Sequence, residues 1–305
     1  MRVAFVGKGG SGKTTMSALF ARHLASQGAP VVAVDADINQ HLAMVLGAPE
    51  PEPLGGRLTE LKELLRGDNP RIPSAAAMVK TTPPGRGSRL LGLDDLPYTV
   101  VTPEGFRLAA TGPFSEDDLG VACYHSKVGA VELLLNHLVD GAGEYVVVDM
   151  TAGADSFASG LFTRFDLTFL VAEPTRQGVG VYQQYRDHAA AYDVPIAVIG
   201  NKVQDTTDVD FLRAHVGEDL LTWMEHSRAV RAMEQGRAFA LADLEPANSD
   251  ALAVLHKHLD AQEKDWPRFG RQAEEFHLRN ARAWANERTG LDLAEQIDPG
   301  FVYGP

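Results

Sequence analysis

The stretch Val3-Ala4-Phe5-Val6-Gly7-Lys8-Gly9-Gly10-Ser11-Gly12-Lys13-Thr14-Thr15 constrains this chain more than any other. An apolar run, the pattern of a buried strand, breaks into a turn holding four glycines and then opens a helix. Glycines let successive backbone N–H groups turn toward one point without Cβ clashes, and the positive end of the helix dipole faces the same point. With G-x-x-x-x-G-K-T spacing after a strand, the stretch reads as a phosphate cradle. Gly9, Gly10, Ser11, Gly12 and Thr15 are expected to line it. Lys13 is expected to neutralise β- and γ-phosphates, and Thr14 to offer its hydroxyl to Mg²⁺. The expected cofactors are therefore ATP or ADP with Mg²⁺.

The runs Val31-Val32-Ala33-Val34 and Tyr145-Val146-Val147-Val148 are continuously apolar, as parallel strands covered on both faces are. Both end in acids, Asp35 and Asp37 after the first and Asp149 after the second. Open α/β sheets hold ligands at the carboxyl ends of their strands, so these acids should lie beside the phosphate loop. Asp149 fits a Mg²⁺ contact through water, and Gly153 can offer its N–H to a γ-phosphate in a switch that senses hydrolysis. Further strand runs at residues 167–171, 195–199 and 220–224 alternate with helical periodicity, beginning with a helix at 13–27 capped by Gly28. The expected fold is α/β, a doubly wound and mostly parallel sheet. Asn201 follows one of these runs, and its amide, both donor and acceptor, suits the N6 and N7 atoms of adenine.

Lys8 is a second lysine inside the loop, and Lys8-Gly9-Gly10-Ser11-Gly12-Lys13-Thr14-Thr15 resembles the deviant Walker A loop of the ParA, MinD and nitrogenase iron-protein class of P-loop ATPases. The resemblance implies a homodimer that sandwiches two ATP molecules, with Lys8 crossing to the partner's phosphates. It further implies Asp37 orienting the attacking water and Asp35 near Mg²⁺. Asp149-Met150-Thr151-Ala152-Gly153 and Glu173-Pro174-Thr175 look like the nickel-inserting ATPases that mature carbon monoxide dehydrogenase. Those carry Gly-Cys-x-Cys before the equivalent helix; here Val121 replaces the first cysteine, Cys123 holds the second position and His125 follows. Two Cys123 and two His125 about a dimer axis would supply two sulfur and two nitrogen ligands to Ni²⁺ or Zn²⁺. The implied function is an ATP-hydrolysing dimeric switch, accessory to metalloenzyme maturation, with an unidentified client. The alternative is a ParA- or MinD-type positioning or partitioning ATPase, and a third is a ligase or kinase acting on a small substrate.

The resemblance covers residues 1–260, an ATPase domain interrupted at 48–98 by an insertion with eight prolines and one short amphipathic helix at 58–65. Such Pro and Gly density reads as a surface loop. Residues 99–101 and 106–110 read as a strand pair. Residues 261–305 form a helical extension whose helix at 262–289 carries Trp266, Phe269, Phe276, Leu278 and Trp284, and it is expected to pack on the body or on a second subunit. The formal net charge of −13 argues against nonspecific binding of duplex DNA. Glu263, Asp265, Glu274, Glu275 and Glu287 offset the arginines of the extension and argue against a membrane-binding tail. With no transmembrane run and no signal segment ahead of the first strand, a cytoplasmic location is expected. The single cysteine excludes an intrachain disulfide and the paired cysteines of a shared iron–sulfur cluster.

Overall fold

The computed structural model describes residues 1–113 and 125–305, together with the side chains of those residues apart from His125, Ser126 and Ala154. Among them, eight strands form one sheet in the order β3-β4-β2-β5-β1-β6-β7-β8. The strands are β1 Arg2–Gly7, β2 Val31–Ala36, β3 Val100–Val101, β4 Arg107–Ala110, β5 Tyr145–Met150, β6 Leu167–Ala172, β7 Ile196–Val203 and β8 Leu220–Glu225. All neighbours run parallel except β3 and β4, joined by the turn that the sequence places at 103–105. The helices are α1 Lys13–Ser26, α2 Leu42–Leu46, α3 Leu58–Arg66, α4 His125–Asn136, α5 Arg176–Ala189, α6 Thr206–Val216, α7 Arg228–Glu234, α8 Pro246–Asp260, α9 Trp266–Asn280 and α10 Asn286–Thr289.

Every residue of β1, β2, β5 and β6 is buried, which is why these strands read as unbroken apolar runs. Alternate side chains feed two cores. Val3 and Phe5 join Leu19 and Phe20 of α1 and Leu252 and Leu255 of α8 on one face. Ala4 and Val6 join Val131 and Leu134 of α4, Tyr182 of α5 and Leu212 of α6 on the other. The sheet is doubly wound, as expected.

The segment 48–98 departs from its sequence reading. It has little regular structure beyond α3, yet Leu54, Leu61, Leu65, Ile72, Met78 and Leu91 belong to the core around α4. Pro51, Pro83 and Pro84 are buried as well. Proline has no N–H to leave unsatisfied, so a proline-rich path can be covered with fewer stranded donors than an ordinary loop. Where the path crosses itself, Asp68 donates to the Gly87 carbonyl at 2.8 Å. Gly67 sits there at φ +53°, and a Cβ on it would lie 2.6 Å from that carbonyl oxygen.

The C-terminal segment packs on the body. Phe269 of α9 is fully buried, the helix widens through a π turn at Ala281–Ala285, and α10 ends at Gly290 in the left-handed region. Its attachment is polar at the floor of the sheet. Arg2, fully buried at the start of β1, donates from Nε to Asp140 at 2.7 Å, from Nη1 to the Leu135 carbonyl at 2.9 Å and from Nη2 to Tyr303 at 3.0 Å. Lys264 bridges Asp140 and Asp166. Arg2 also lies 5.3 Å from the ring centres of both Trp266 and Phe269.

Burial alone would raise the Asp140 carboxyl, but Arg2 and Lys264 outweigh it and hold the group well below the usual carboxylate range. A depressed folded-state pKa gives stability that is present above the unfolded value, near 4, and lost as pH falls below it. Asp140→Asn should therefore cost about 3–5 kcal/mol at pH 7, the cost of breaking a buried pair. The gap to wild type should narrow as pH falls below about 4. Urea midpoints of both proteins across that range test this.

Candidate functional site

The residues singled out around the glycine-rich stretch, apart from Cys123 and His125, meet at the carboxyl edge of β1, β2 and β5. β1 ends at Gly7, and the chain loops back into α1 at Lys13. Two close approaches fix the loop. A Cβ on Gly7 would lie 2.4 Å from the Val171 carbonyl oxygen of β6, and one on Gly12 would lie 2.2 Å from Nδ2 of Asn201. Gly12 also holds φ +97° as the N-cap of α1 and offers no side-chain cap. The first helical N–H groups therefore lack an acceptor in the helix, and with the dipole they make an anion site. Lys13 is buried beside them, Ser11 Oγ is buried without a partner, and Lys8 is half-buried with its carbonyl accepting from the Ser11 N–H at 3.1 Å. Gly9 and Gly10 are exposed on the loop's crest.

Beneath the loop lie three acids. Asp35 and Asp149 pair directly in the register of β2 and β5. Thr14 Oγ1 donates to Asp149 Oδ2 at 2.6 Å, while Asp149 Oδ1 is buried with no partner. Burial first, and Asp35 second, push the Asp149 carboxyl far above its ordinary value; burial likewise raises Asp35. Asp35 accepts from the N–H groups of Asp37 at 3.1 Å, His41 at 3.1 Å and Leu42 at 3.0 Å. It thereby folds the loop that presents Asp37 and starts α2. Asp37 is buried, with one oxygen on the Asn39 N–H at 3.0 Å.

These oxygens fit a hard divalent cation. Asp149 Oδ1 and the Thr14 hydroxyl are oxygen donors with unclaimed valence in a pocket of excess negative charge. Among the described residues no three His, Cys, Asp or Glu side chains are arranged to hold a metal by themselves. A carboxylate oxygen beside a hydroxyl suits an ion such as Mg²⁺, which keeps few protein ligands and takes the rest from phosphates and water. Gly153 follows β5 at φ +66°, a conformation natural to glycine, and its carbonyl accepts from Ser156 Oγ at 2.9 Å.

Asn201 and Lys202 lie inside β7, at an irregular step in its pairing with β8, rather than after the strand as the sequence suggests. Asn201 Nδ2 donates to the Ser11 carbonyl at 2.7 Å, and its Oδ1 accepts from the Lys202 N–H at 2.9 Å. Lys202, at φ +60°, donates from Nζ to the Gly10 carbonyl at 2.7 Å and to Glu173 at 2.6 Å. The pair clamps the phosphate loop to the ends of β6 and β7, a role the sequence reading missed. Its signal was present: opposite charges, Glu173 and Lys202, stand near the carboxyl ends of two neighbouring strands.

Beside the clamp a cleft with about 710 Å³ of empty space opens between Met16 and Leu19 of α1 and Met224, His226 and Val230. Its apolar walls and the Asn201 amide suit a flat heterocycle held next to the anion site. Cys123 lies outside the described residues, and the side chain of His125, where α4 begins, does too.

A family model described as the CobQ/CobB/MinD/ParA nucleotide binding domain matches residues 3–264. The carbon monoxide dehydrogenase accessory protein CooC of Rhodospirillum rubrum is 29% identical over 261 residues, 84% of this chain and 94% of that protein. An uncharacterized ATP-binding protein of Methanocaldococcus jannaschii is 30% identical over 72% of this chain and 81% of its own length. Among solved structures, a chain of the MinC:MinD cell division protein complex of Aquifex aeolicus superposes with a TM-score of 0.59 at 18% identity, covering 87% of this chain and 97% of that one. A ParA family ATPase from Chlorobium tepidum gives 0.54 at 18% identity, with 83% and 97% covered. These two establish the fold alone.

Gly12→Ala should weaken nucleotide binding at least tenfold, because the new Cβ collides with Asn201 and a left-handed alanine is strained by about 1–2 kcal/mol. Adding Asn201→Gly removes the collision but not the strain, so the double variant should recover only in part. Titration with a fluorescent nucleotide measures both.

Proposed function

This chain belongs to the CobQ/CobB/MinD/ParA nucleotide-binding family, and from that membership we propose that it binds ATP, dimerises over it and hydrolyses it slowly as a conformational switch for a client protein. The observation that carries the reading is the Thr14 to Asp149 contact, which sets a hydroxyl against a half-satisfied buried carboxylate directly under an uncapped helix start. Thr14 and Asp149, with Asp35 behind them, would hold Mg²⁺, which when bound neutralises charge on the β- and γ-phosphates. The loop N–H groups and Lys13 bind and orient the triphosphate. Asp37 accepts a hydrogen bond from the attacking water and aligns it. Lys8 of one subunit meets charge developing on its partner's γ-phosphate, so hydrolysis requires the dimer. Gly153 reads the γ-phosphate through its N–H, and Asn201 borders the base.

The client we propose is a metalloenzyme under maturation. Supporting it is the relative named as an accessory protein of carbon monoxide dehydrogenase, which aligns over nearly its whole length. A positioning role of the ParA kind has the fold in its favour, but a net charge of −13 disfavours the nonspecific DNA contact on which phosphate-backbone binding depends.

Lys13→Ala should lose nucleotide binding by about a hundredfold or more, the scale of removing a charge-assisted phosphate contact. Asp37→Ala should instead bind ATP and accumulate as a dimer on gel filtration; a profile that ATP leaves unchanged contradicts the switch. Captured in that state from native lysate, the protein should retain a metalloenzyme, whereas ATP-dependent cosedimentation with DNA or liposomes would favour the positioning role. The finer proposal, Ni²⁺ or Zn²⁺ shared by paired Cys123 and His125, predicts bound metal in the wild-type dimer that Cys123→Ser loses. Equal, near-zero metal in both removes it.

A further inference from the structure

A second pocket lies well apart in sequence from the phosphate loop, where α3, residues 76–80 and α10 converge around about 920 Å³ of empty space open to solvent. Its chemistry begins with the pattern of α3. Leu58, Leu61 and Leu65 make the inward face of that helix, and Lys62 sits on the same face, four residues from Leu58 and three from Leu65. A lysine there is half-buried where an apolar residue would pack without desolvation. Arg288 approaches it from α10; burial first and that like charge second lower the Lys62 ammonium from its ordinary value. Lys80 is the third cation of the lining, and no acidic side chain lines the pocket.

Neither the Lys62 nor the Arg288 side chain has a hydrogen bond or ion pair with any described residue. The polar contact of Arg288 is with an aromatic face: its guanidinium lies 5.7 Å from the ring centre of Trp284. Lys80 is shared, since it also stabilises the charge of the buried Glu132. The remaining walls are apolar, chiefly Leu58, Met78, Val79 and the half-buried Trp284. Thus a chain with 41 acidic and 28 basic residues gathers three cations about an apolar and aromatic floor and leaves two of them uncompensated. Trp284 and Arg288 lie past residue 264, where the family match ends.

We propose that this pocket binds a small organic anion, a carboxylate or phosphate carried on a flat apolar body. Lys62 and Arg288 hold the charged group, with Lys80 beside them, and Trp284, Leu58 and Met78 cover the body. The site is independent of the nucleotide reading: it shares no lining residue with the cleft beside the phosphate loop.

The test uses 8-anilinonaphthalene-1-sulfonate, an aromatic anion, titrated into the full-length protein in saturating Mg·ADP so that the nucleotide cleft is filled. One equivalent should bind. The doubly reversed Lys62→Glu/Arg288→Glu variant should bind it at least tenfold more weakly while binding the uncharged N-phenyl-1-naphthylamine as wild type does. Lys62→Gln, which keeps the answer in reach should the double variant unfold, should weaken the sulfonate about threefold. Phenyl phosphate or benzoate should displace it, and benzyl alcohol should not. Equal affinity in wild type and Lys62→Gln, loss of binding on adding Mg·ADP, or equal displacement by benzyl alcohol overturns the proposal.

Discussion

Asp35 and Asp149 stand side by side on adjacent parallel strands, both buried, at the edge of the sheet where its ligand belongs. Parallel register offers no way to part them, because moving either side chain to the other face would exchange the side chains of the two cores along the whole strand. The surrounding groups answer this repulsion one by one. Three amide N–H groups converge on Asp35, and in doing so they shape the loop that carries Asp37. Thr14 donates to Asp149, and Lys13 attracts it from the start of α1. The loop above is thus shaped by the charge below, and an oxygen of Asp149 is left over for a cation.

The opposite end of the sheet uses the reverse arrangement. There a buried guanidinium needs an acid and Asp140 supplies it, while Asp166 accepts from the Arg2 backbone N–H and Lys264 bridges the two carboxylates. Backbone carbonyls of α4 and the Tyr303 hydroxyl satisfy the remaining donors. Charges are buried at both ends and held by hydrogen bonds, one oxygen each of Asp149 and Asp166 excepted, so the apolar layers between them need only be close-packed.

What the sequence made legible followed local rules. Strands buried on both faces announced themselves as apolar runs, glycines marked the loop, and the acids after the runs at 31–34 and 145–148 marked the ligand edge. The segment 48–98 was misread because proline usually signals a solvated path, whereas here Leu61, Leu65 and Ile72 draw that path into the core. The clamp was missed for another reason. Asn201 reads as a base-contacting amide when taken alone, and only the neighbouring positions of β6 and β7 reveal that it also donates to the Ser11 carbonyl. Likewise nothing near Lys62 in the sequence announces Arg288. Local pattern predicts elements; contacts between distant segments decide what each polar side chain does.

The strand that bears the phosphate loop leaves the ribosome well before its two flanking strands, which begin only at Tyr145 and Leu167. Until both emerge, β1 has exposed edges and an apolar surface without a lasting mate, the kind of unpaired strand that chaperones guard during synthesis. Binding competence is therefore acquired late and all at once, by insertion of distant strands on either side of a waiting one. Non-local pairing of this kind makes for slow folding, and a nascent chain halted before residue 167 would carry every glycine of the loop without the platform that gives it shape.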